Sequence, residues 1–372
     1  MTVFSLPKST RAAVLHAIGG DFLVEDVPLP SKLEPGAVLV RTEVATLCGS
    51  DIHIWKGEVA QTVLPVILGH EMVGTVAALG EGADRDSLGE PLAVGDRLIW
   101  ASPSCGMCYE CTVLEEPVMC PNRLFGSRQR VDRPPYAIGA LSEYIYVPPA
   151  SKRLGIDRSA PPEWASAASC AGKTVLRAFE RAGGVRPGQS VIILGCGPLG
   201  LFGTALAAAS GAEPIIVSGA PAHRLAVARR LGATDMIDIE ALNDAEARIA
   251  AVRARTGGRG AEVVFDFAGG PGVFRESLHM AAIQGRCVSV GSVTGPAHPV
   301  ENRVITSKEL TIIGSRSAEI GFHWKAIQFM KTTAGRFDWD AMFDAPCGLG
   351  GVTEAARAMA DLRAVKPVVR MD

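Results

Sequence analysis

Hydrophobic and polar positions change rhythm twice along the chain. Up to about residue 165 the apolar residues come in short runs, at 12–15, 37–44, 72–79, 97–100 and 142–147. Gly, Pro and Asp clusters separate them and no long helical period intervenes, so this part predicts an irregular, β-rich domain. Near Pro161 the pattern turns alanine-rich and helical, through PPEWASAASCAGKTVLRAFERAG. From Ser190 strand and helix patterns alternate. Strands are expected at 191–194, 214–217, 236–239, 263–267, 287–290 and 310–314, and helices from about 199 and over 222–231, 245–255 and 274–281. That alternation predicts a doubly wound parallel sheet, so the fold class is α/β. The tail, 315–372, mixes helical stretches with a last strand at 367–370.

Composition narrows the function classes. The 372 residues suggest two domains, at ~150 residues each. With 48% hydrophobic and 20% charged residues, the chain reads as globular. Lys+Arg number 37 against 39 Asp+Glu, so no overall basic excess points to nucleic acid. The most apolar stretch, 191–210, contains four glycines and a proline and is not read as a membrane span. The first residues show no basic start followed by an apolar core, so a cytoplasmic location without a membrane partner is expected. Nine cysteines, an odd number, do not suggest a disulfide framework.

Two motifs carry chemistry by themselves. Gly195-Cys-Gly197-Pro198-Leu199-Gly200 follows an apolar strand and opens a helix. Glycines there allow a tight turn and close approach of a pyrophosphate to the helix N-terminus, as in NAD(P)-binding proteins. The next strand ends at Ser218-Gly219, where an acidic residue would hold the ribose 2′-OH of NAD. Its absence, with His223 and Arg224 close behind, favours NADP over NAD. Cys105, Cys108, Cys111 and Cys120 form the second motif, C-x2-C-x2-C-x8-C. Four thiolates on one loop can close a tetrahedral zinc shell with no open position, a structural site. The spacing is not that of a ferredoxin. Gly172-Lys173-Thr174 ends like a phosphate-binding loop, but Ala167 stands where such a loop needs glycine, so a helix start is the better reading.

Cys48, Ser50, Asp51, His53, His70, Glu71 and Cys170 each have an ordinary structural explanation. Spacing alone does not bring them together. The Cys48-Gly-Ser-Asp segment, GHEMVG (69–74), the four-cysteine loop, GALSEY (139–144), Cys170 and GCGPLG occur in one order over nearly the whole chain. In that order they resemble the zinc-dependent medium-chain alcohol dehydrogenase superfamily.

The resemblance implies a GroES-like catalytic domain from 1–171 and 315–372, with a structural-zinc lobe at about 103–125. It implies a Rossmann coenzyme domain over 172–314. It makes Cys48, His70 and Cys170 ligands of a catalytic zinc, with Glu71 beside the ion or as an alternate ligand. Asp51 would hold the second nitrogen of the histidine, and Ser50 and His53 would carry the substrate proton outward. Lys366 would contact the cofactor pyrophosphate. The implied reaction is hydride transfer between an alcohol and NAD(P), giving a ketone or aldehyde, with two zinc ions per chain.

Trp55, Trp100 and Phe125 are candidates for the substrate pocket. No arginine pair lies near Ser50, which disfavours a highly anionic substrate and favours a secondary or cyclic, largely apolar alcohol. The short stretch between Cys120 and Gly139 favours a homo-oligomer, tetramer over dimer. Three positions depart from the family pattern: the eight-residue gap before Cys120, Gly49 and Gly219. Residues 82–91 look like an inserted surface loop. A polyol- or threonine-type dehydrogenase and a non-catalytic redox sensor on the same fold are the alternatives. A zinc-free reductase would lack the ligand set.

Overall fold

Two long antiparallel neighbours organise the first half of the molecule. Val38–Thr46 and Glu71–Leu79 pair along their length, buried on both faces over most positions. The computed structural model describes residues 6–291 and 299–371. Its chain divides into two units, Met1–Lys173 with Ala318–Lys331 and Phe343–Asp372, and Thr174–Ser317 with Thr332–Met342.

In the first unit one sheet runs in the order Val368–Arg370, Val38–Thr46, Glu71–Leu79, Arg97–Trp100, Arg153–Gly155, with Tyr144–Val147 also paired to Val38–Thr46. A three-stranded sheet of Phe22–Pro28, Ser9–Leu15 and Val66–Ile67 packs into the same apolar core. Register decides what this sheet delivers. Thr46 lies opposite Glu71 on one side and Val368 on the other. Cys48 follows the first strand, His70 precedes the second and Lys366 precedes the third. All three therefore arrive at one end of the sheet. Phe22–Pro28 and the three-residue strand Arg153–Gly155 carry too little alternation to be read from the sequence.

The second unit is a parallel sheet in the order Asp235–Asp238, Ile215–Gly219, Val191–Leu194, Ala261–Asp266, Ala281–Ser289, Thr311–Gly314. In chain order within the unit this is 3-2-1-4-5-6, the dinucleotide-binding arrangement. Helices alternate with the strands as the pattern predicts. The fifth strand starts at Ala281, earlier than expected, and the early part carries a register shift against Ala261–Val263. The tail also divides differently. Residues 332–342, expected with the catalytic domain, belong to the second unit. There Trp339 is buried against Phe202, with ring centroids 4.8 Å apart. Among the described residues no helix is long and apolar enough to cross a membrane.

The helical region after Pro161 is continuous but not uniform. Pro162–Ala167 and Lys173–Arg181 are α-helical, and Ala168–Gly172 between them is a wider π-helical turn. Such turns re-aim side chains and occur frequently at functional sites. This one carries Cys170. Nearby, His323 is 2% exposed, and its Nε2–H donates to the Ala165 carbonyl at 2.9 Å. Burial, reinforced by Lys173, lowers its pKa to about 3. The unfolded chain takes up this proton below pH ~6.5 and the folded chain does not until about pH 3. Stability is therefore full above pH ~6.5 and falls as pH drops toward 3. By pH 5 the loss is about 2 kcal/mol at 1.36 kcal/mol per unit. His323→Gln keeps a donor but no titrating group. Its melting temperature should fall less than wild type between pH 7 and 5, and parallel curves would remove His323 from this role.

Candidate active site

Asp51 builds the site from the backbone outward. The chain leaves Thr46 and turns into the short helix Gly49–Trp55, with Cys48 as its N-cap. Asp51, in the first turn, is 2% exposed. Its Oδ2 accepts the Cys48 N–H at 2.9 Å, and its Oδ1 accepts the Gly69 N–H at 3.2 Å. The same Oδ1 lies 3.3 Å from His70 Nδ1. Burial alone would raise the Asp51 pKa, but the His70 ring and these two N–H groups hold it below the usual carboxylate range. Because Nδ1 of His70 faces Asp51, Nε2 is left for a metal. Asp51 thus holds both the histidine and the backbone of the neighbouring cysteine.

The ligand set converges from distant parts of the chain. Donor atoms of Cys48, His70, Glu71 and Cys170 all lie within 4.8 Å of one another. The Sγ atoms of Cys48 and Cys170 are 3.8 Å apart. Two thiolates at ~2.3 Å from one tetrahedral ion stand about 3.8 Å apart, so the pair fits zinc. Neither thiol is in a disulfide. Contact with Cys170 and burial push the Cys48 thiol up to about 12. A coordinated divalent ion reverses that and keeps the thiolate. Ser50 Oγ is 3.8 Å from Cys48 Sγ and exposed. His53 lies one turn further along, its Nδ1 against Glu58 Oε2. Ser50 and His53 are neighbours by helical spacing, so a hydroxyl or water must bridge any proton path between them.

Glu71 and Lys366 are both fully buried, and the Lys366 ammonium contacts Glu71 Oε2. That carboxylate oxygen also accepts from Thr46 Oγ1 at 2.5 Å, and Thr46 in turn lies 3.0 Å from Ser166 Oγ. Lys366 is therefore not at a pyrophosphate. With no exposed surface, its ammonium is taken by the Glu71 carboxylate instead. Of the pocket candidates, Trp100 lines a small cavity of about 30 Å³ beside His70, with Met72, Leu124 and Ile138. Trp55 packs on the apolar core and donates Nε1–H to the Gly20 carbonyl at 2.8 Å. The guanidinium groups of Arg123 and Arg128 lie over the Phe125 ring, at 5.6 and 5.1 Å from its centroid.

The four-cysteine lobe is a second candidate metal cradle. Ligand atoms of Cys105, Cys108, Cys111 and Cys120 lie within 4.8 Å of one another. The Met107 N–H and the Asn122 amide lower the Cys105 thiol to about 6, which favours its thiolate form. The lobe has little core of its own. Its helix Tyr109–Thr112 buries no residue, and Met107, Tyr109 and Val113 are 84%, 60% and 62% exposed. A bound ion must supply the order that burial does not. Cys108→Ser is expected to lower metal content by about one ion per chain and to make residues 103–125 the first site of limited proteolysis. Unchanged metal content and protease resistance would contradict it.

In the second unit the glycine motif has the shape of a pyrophosphate cradle. Gly195 has φ +102°, and a Cβ on Gly200 would meet the Gly195 carbonyl at 1.8 Å. Around Gly197 nothing lies within 4 Å of a notional Cβ, which leaves room for a phosphate. Gly197 caps the helix Pro198–Ala209, with Pro198 and Leu199 in its first turn. At the end of the next strand Ser218 is buried, and a Cβ on Gly219 would meet Cys196 Sγ at 2.6 Å. His223 is exposed, whereas Arg224 is buried within electrostatic reach of Cys196.

Residues 34–156 match the alcohol dehydrogenase GroES-like domain family, and residues 198–332 match the zinc-binding dehydrogenases. A 5-exo-hydroxycamphor dehydrogenase of Pseudomonas putida is 33% identical over 341 residues, 90% of this chain and 92% of the relative. The chain belongs to the zinc-binding, medium-chain alcohol dehydrogenase superfamily. An L-threonine 3-dehydrogenase of Pyrococcus abyssi is 32% identical, covering 84% of this chain and 83% of its own. The structure of an alcohol dehydrogenase from Thermotoga maritima superposes with a TM-score of 0.90 at 28% identity, over 98% of this chain and all of that one. A Sinorhizobium meliloti 1021 protein described as a zinc-binding dehydrogenase, bound to NADP, superposes at 0.83 with 27% identity, over 98% and 100% of the two chains. The oxidoreductase class and the GroES-like and Rossmann-like architecture follow from this membership.

Proposed function

We propose that this dehydrogenase interconverts a secondary or cyclic alcohol and its ketone, with NADP favoured over NAD. The observation that carries the reading is the convergence of Cys48, His70 and Cys170, with the Ser50 hydroxyl 3.8 Å from the first of them. A zinc ion held by these three side chains supplies Lewis-acid polarisation of a substrate oxygen. Asp51 fixes the His70 ring. Ser50 accepts the hydroxyl proton, and His53, held by Glu58, passes it outward. Glu71 stands ready as an alternate ligand, restrained by Lys366 and Thr46. A second zinc on the four cysteines holds their lobe.

Gly195, Gly197 and Gly200 would receive the pyrophosphate. NADP is supported by Gly219, whose site leaves no space for the acid that reads a 2′-hydroxyl, and by Arg224, buried within electrostatic reach of the same Cys196. The NADP-bound relative agrees. The camphor-type relative supports a cyclic alcohol. The threonine-type relative supports the second reading, a polyol or threonine substrate. A homo-oligomer, tetramer or dimer, is the assembly we propose.

The test is elemental analysis of pure protein beside nicotinamide absorbance over a panel of alcohols, with each cofactor in turn. About two zinc ions per chain and turnover with NADP are expected. About one zinc ion per chain without turnover on any alcohol would favour a non-catalytic role.

A further inference from the structure

Two hydroxyls are buried where the ligand-bearing elements meet. Thr46 ends the strand that leads to Cys48, and Ser166 lies on the helix Pro162–Ala167 that leads into the turn carrying Cys170. Both have zero exposure. The helix packs on the strands Val38–Thr46 and Glu71–Leu79, and Ala165, Ala167 and Ala168 around Ser166 are also fully buried. An alanine at 166 would fill that position without a polar group, whereas a hydroxyl costs free energy there unless it is bonded.

The bonds run in one direction. The Thr46 hydroxyl has one hydrogen, and it goes to Glu71 Oε2 at 2.5 Å. Ser166 Oγ, 3.0 Å from Thr46 Oγ1, is therefore the donor of the second bond. Glu71 is anchored in turn by Lys366. On the other side the Ser166 carbonyl accepts the Ser169 hydroxyl at 2.6 Å, one residue before Cys170. A chain of contacts thus joins the strand pair that presents Cys48 and His70 to the π-helical turn that presents Cys170. The carboxylate at its head strengthens both hydroxyl bonds.

We propose that Thr46 and Ser166 are positioning residues for the metal centre. Their hydroxyl bond clamps the Cys170 turn onto the strands that carry the other two ligands, and so sets the 3.8 Å separation of the Cys48 and Cys170 sulfurs. The inference rests on the zinc-dehydrogenase reading of the site. Ligand distances in a competent zinc site hold to within about 0.2 Å, so a turn free to drift weakens the hold on the ion.

The test follows zinc release from the purified, zinc-loaded protein to excess chelator, with His70→Ala marking the phase that belongs to Cys48, His70 and Cys170. Removing an outer partner of a metal ligand costs about 10–100-fold in affinity. Thr46→Val keeps the shape and removes the hydroxyl. It should release that ion about tenfold or more faster, while the four-cysteine ion leaves at the wild-type rate. Thr46→Ser should restore most of the retention. Ser166→Ala cuts only the clamp and leaves Glu71 its Thr46 donor. It should speed release by about threefold or more, the size of a neutral hydrogen bond, and it decides the matter if Thr46→Val does not fold. Cobalt(II) exchanged into the site should give an altered visible spectrum in Thr46→Val and the wild-type spectrum in Thr46→Ser. Wild-type release from Ser166→Ala overturns the proposal. So does equal acceleration of both ions, which marks a general loosening of the protein. Slower release from Thr46→Val also overturns it, because the hydroxyl would then be holding Glu71 off the ion. A wild-type protein that binds only the four-cysteine ion overturns both the clamp and the reading it rests on. Release is read without substrate, so absence of turnover on every alcohol, with both ions bound, defeats the dehydrogenase reading alone.

Discussion

His70→Ala is expected to remove one of about two zinc ions per chain and to lower alcohol turnover by a thousandfold or more. The magnitude follows from the chemistry. Lewis-acid stabilisation of developing charge is worth several kcal/mol, and each 1.36 kcal/mol is tenfold in rate. In the proposed zinc shell His70 supplies the one nitrogen, beside the thiolates of Cys48 and Cys170. Losing it leaves two thiolates and Glu71, and Glu71 is already engaged by Lys366 and Thr46. The fold should survive. The His70 side chain is 37% exposed, and Asp51 keeps the N–H groups of Cys48 and Gly69 after the ring is gone. Elemental analysis, circular dichroism and initial rates on one preparation check all three statements. Full activity of the variant in metal-free buffer would falsify the zinc mechanism.

The sequence exposed the parts whose meaning is local. Three cysteines at three-residue spacing need no partner elsewhere to be read, and their ligand atoms and that of Cys120 lie within 4.8 Å of one another. GCGPLG lies between a strand and a helix in one stretch of chain, and the central strand Val191–Leu194 is where the pattern placed it. The metal centre was different. Only the family resemblance joined Cys48, His70 and Cys170: the pairing of Thr46 with Glu71 brings the first two together, and Cys170 arrives on the π-helical turn Ala168–Gly172. Register between strands separated by many residues leaves no mark in local periodicity. Lys366 was misplaced for the same reason. The family resemblance implied a phosphate contact, while its strand register carries it to Glu71. Gly172-Lys173-Thr174, expected as a helix start, lies where the π-helical turn passes into the helix Lys173–Arg181. Thr46, Ser166 and Glu58 were also missed, since each acts only through a contact in space.

Lys366→Met should be the most destabilising single change at the site. It leaves the Glu71 carboxylate without its cation in a position of zero exposure. Breaking one partner of a buried ion pair costs about 3–5 kcal/mol. At ~2–4 °C per kcal/mol for a unit of this size, the melting temperature should fall by roughly 10 °C. The loss is mostly that of an orphaned charge rather than of a favourable bond. Lys366→Met combined with Glu71→Gln removes both charges and keeps an acceptor for Thr46. The double variant should therefore recover much of the stability, because uncharged replacements for a buried pair are often neutral. Register ties this to function. The pair lies where Thr46 faces Glu71 and Val368, directly under the turns that present Cys48 and His70. The single variant should thus also lose zinc more readily than the double. If Lys366→Met melts like wild type and instead binds NADP more weakly, the lysine belongs at the pyrophosphate after all, and its contact with Glu71 holds nothing in place.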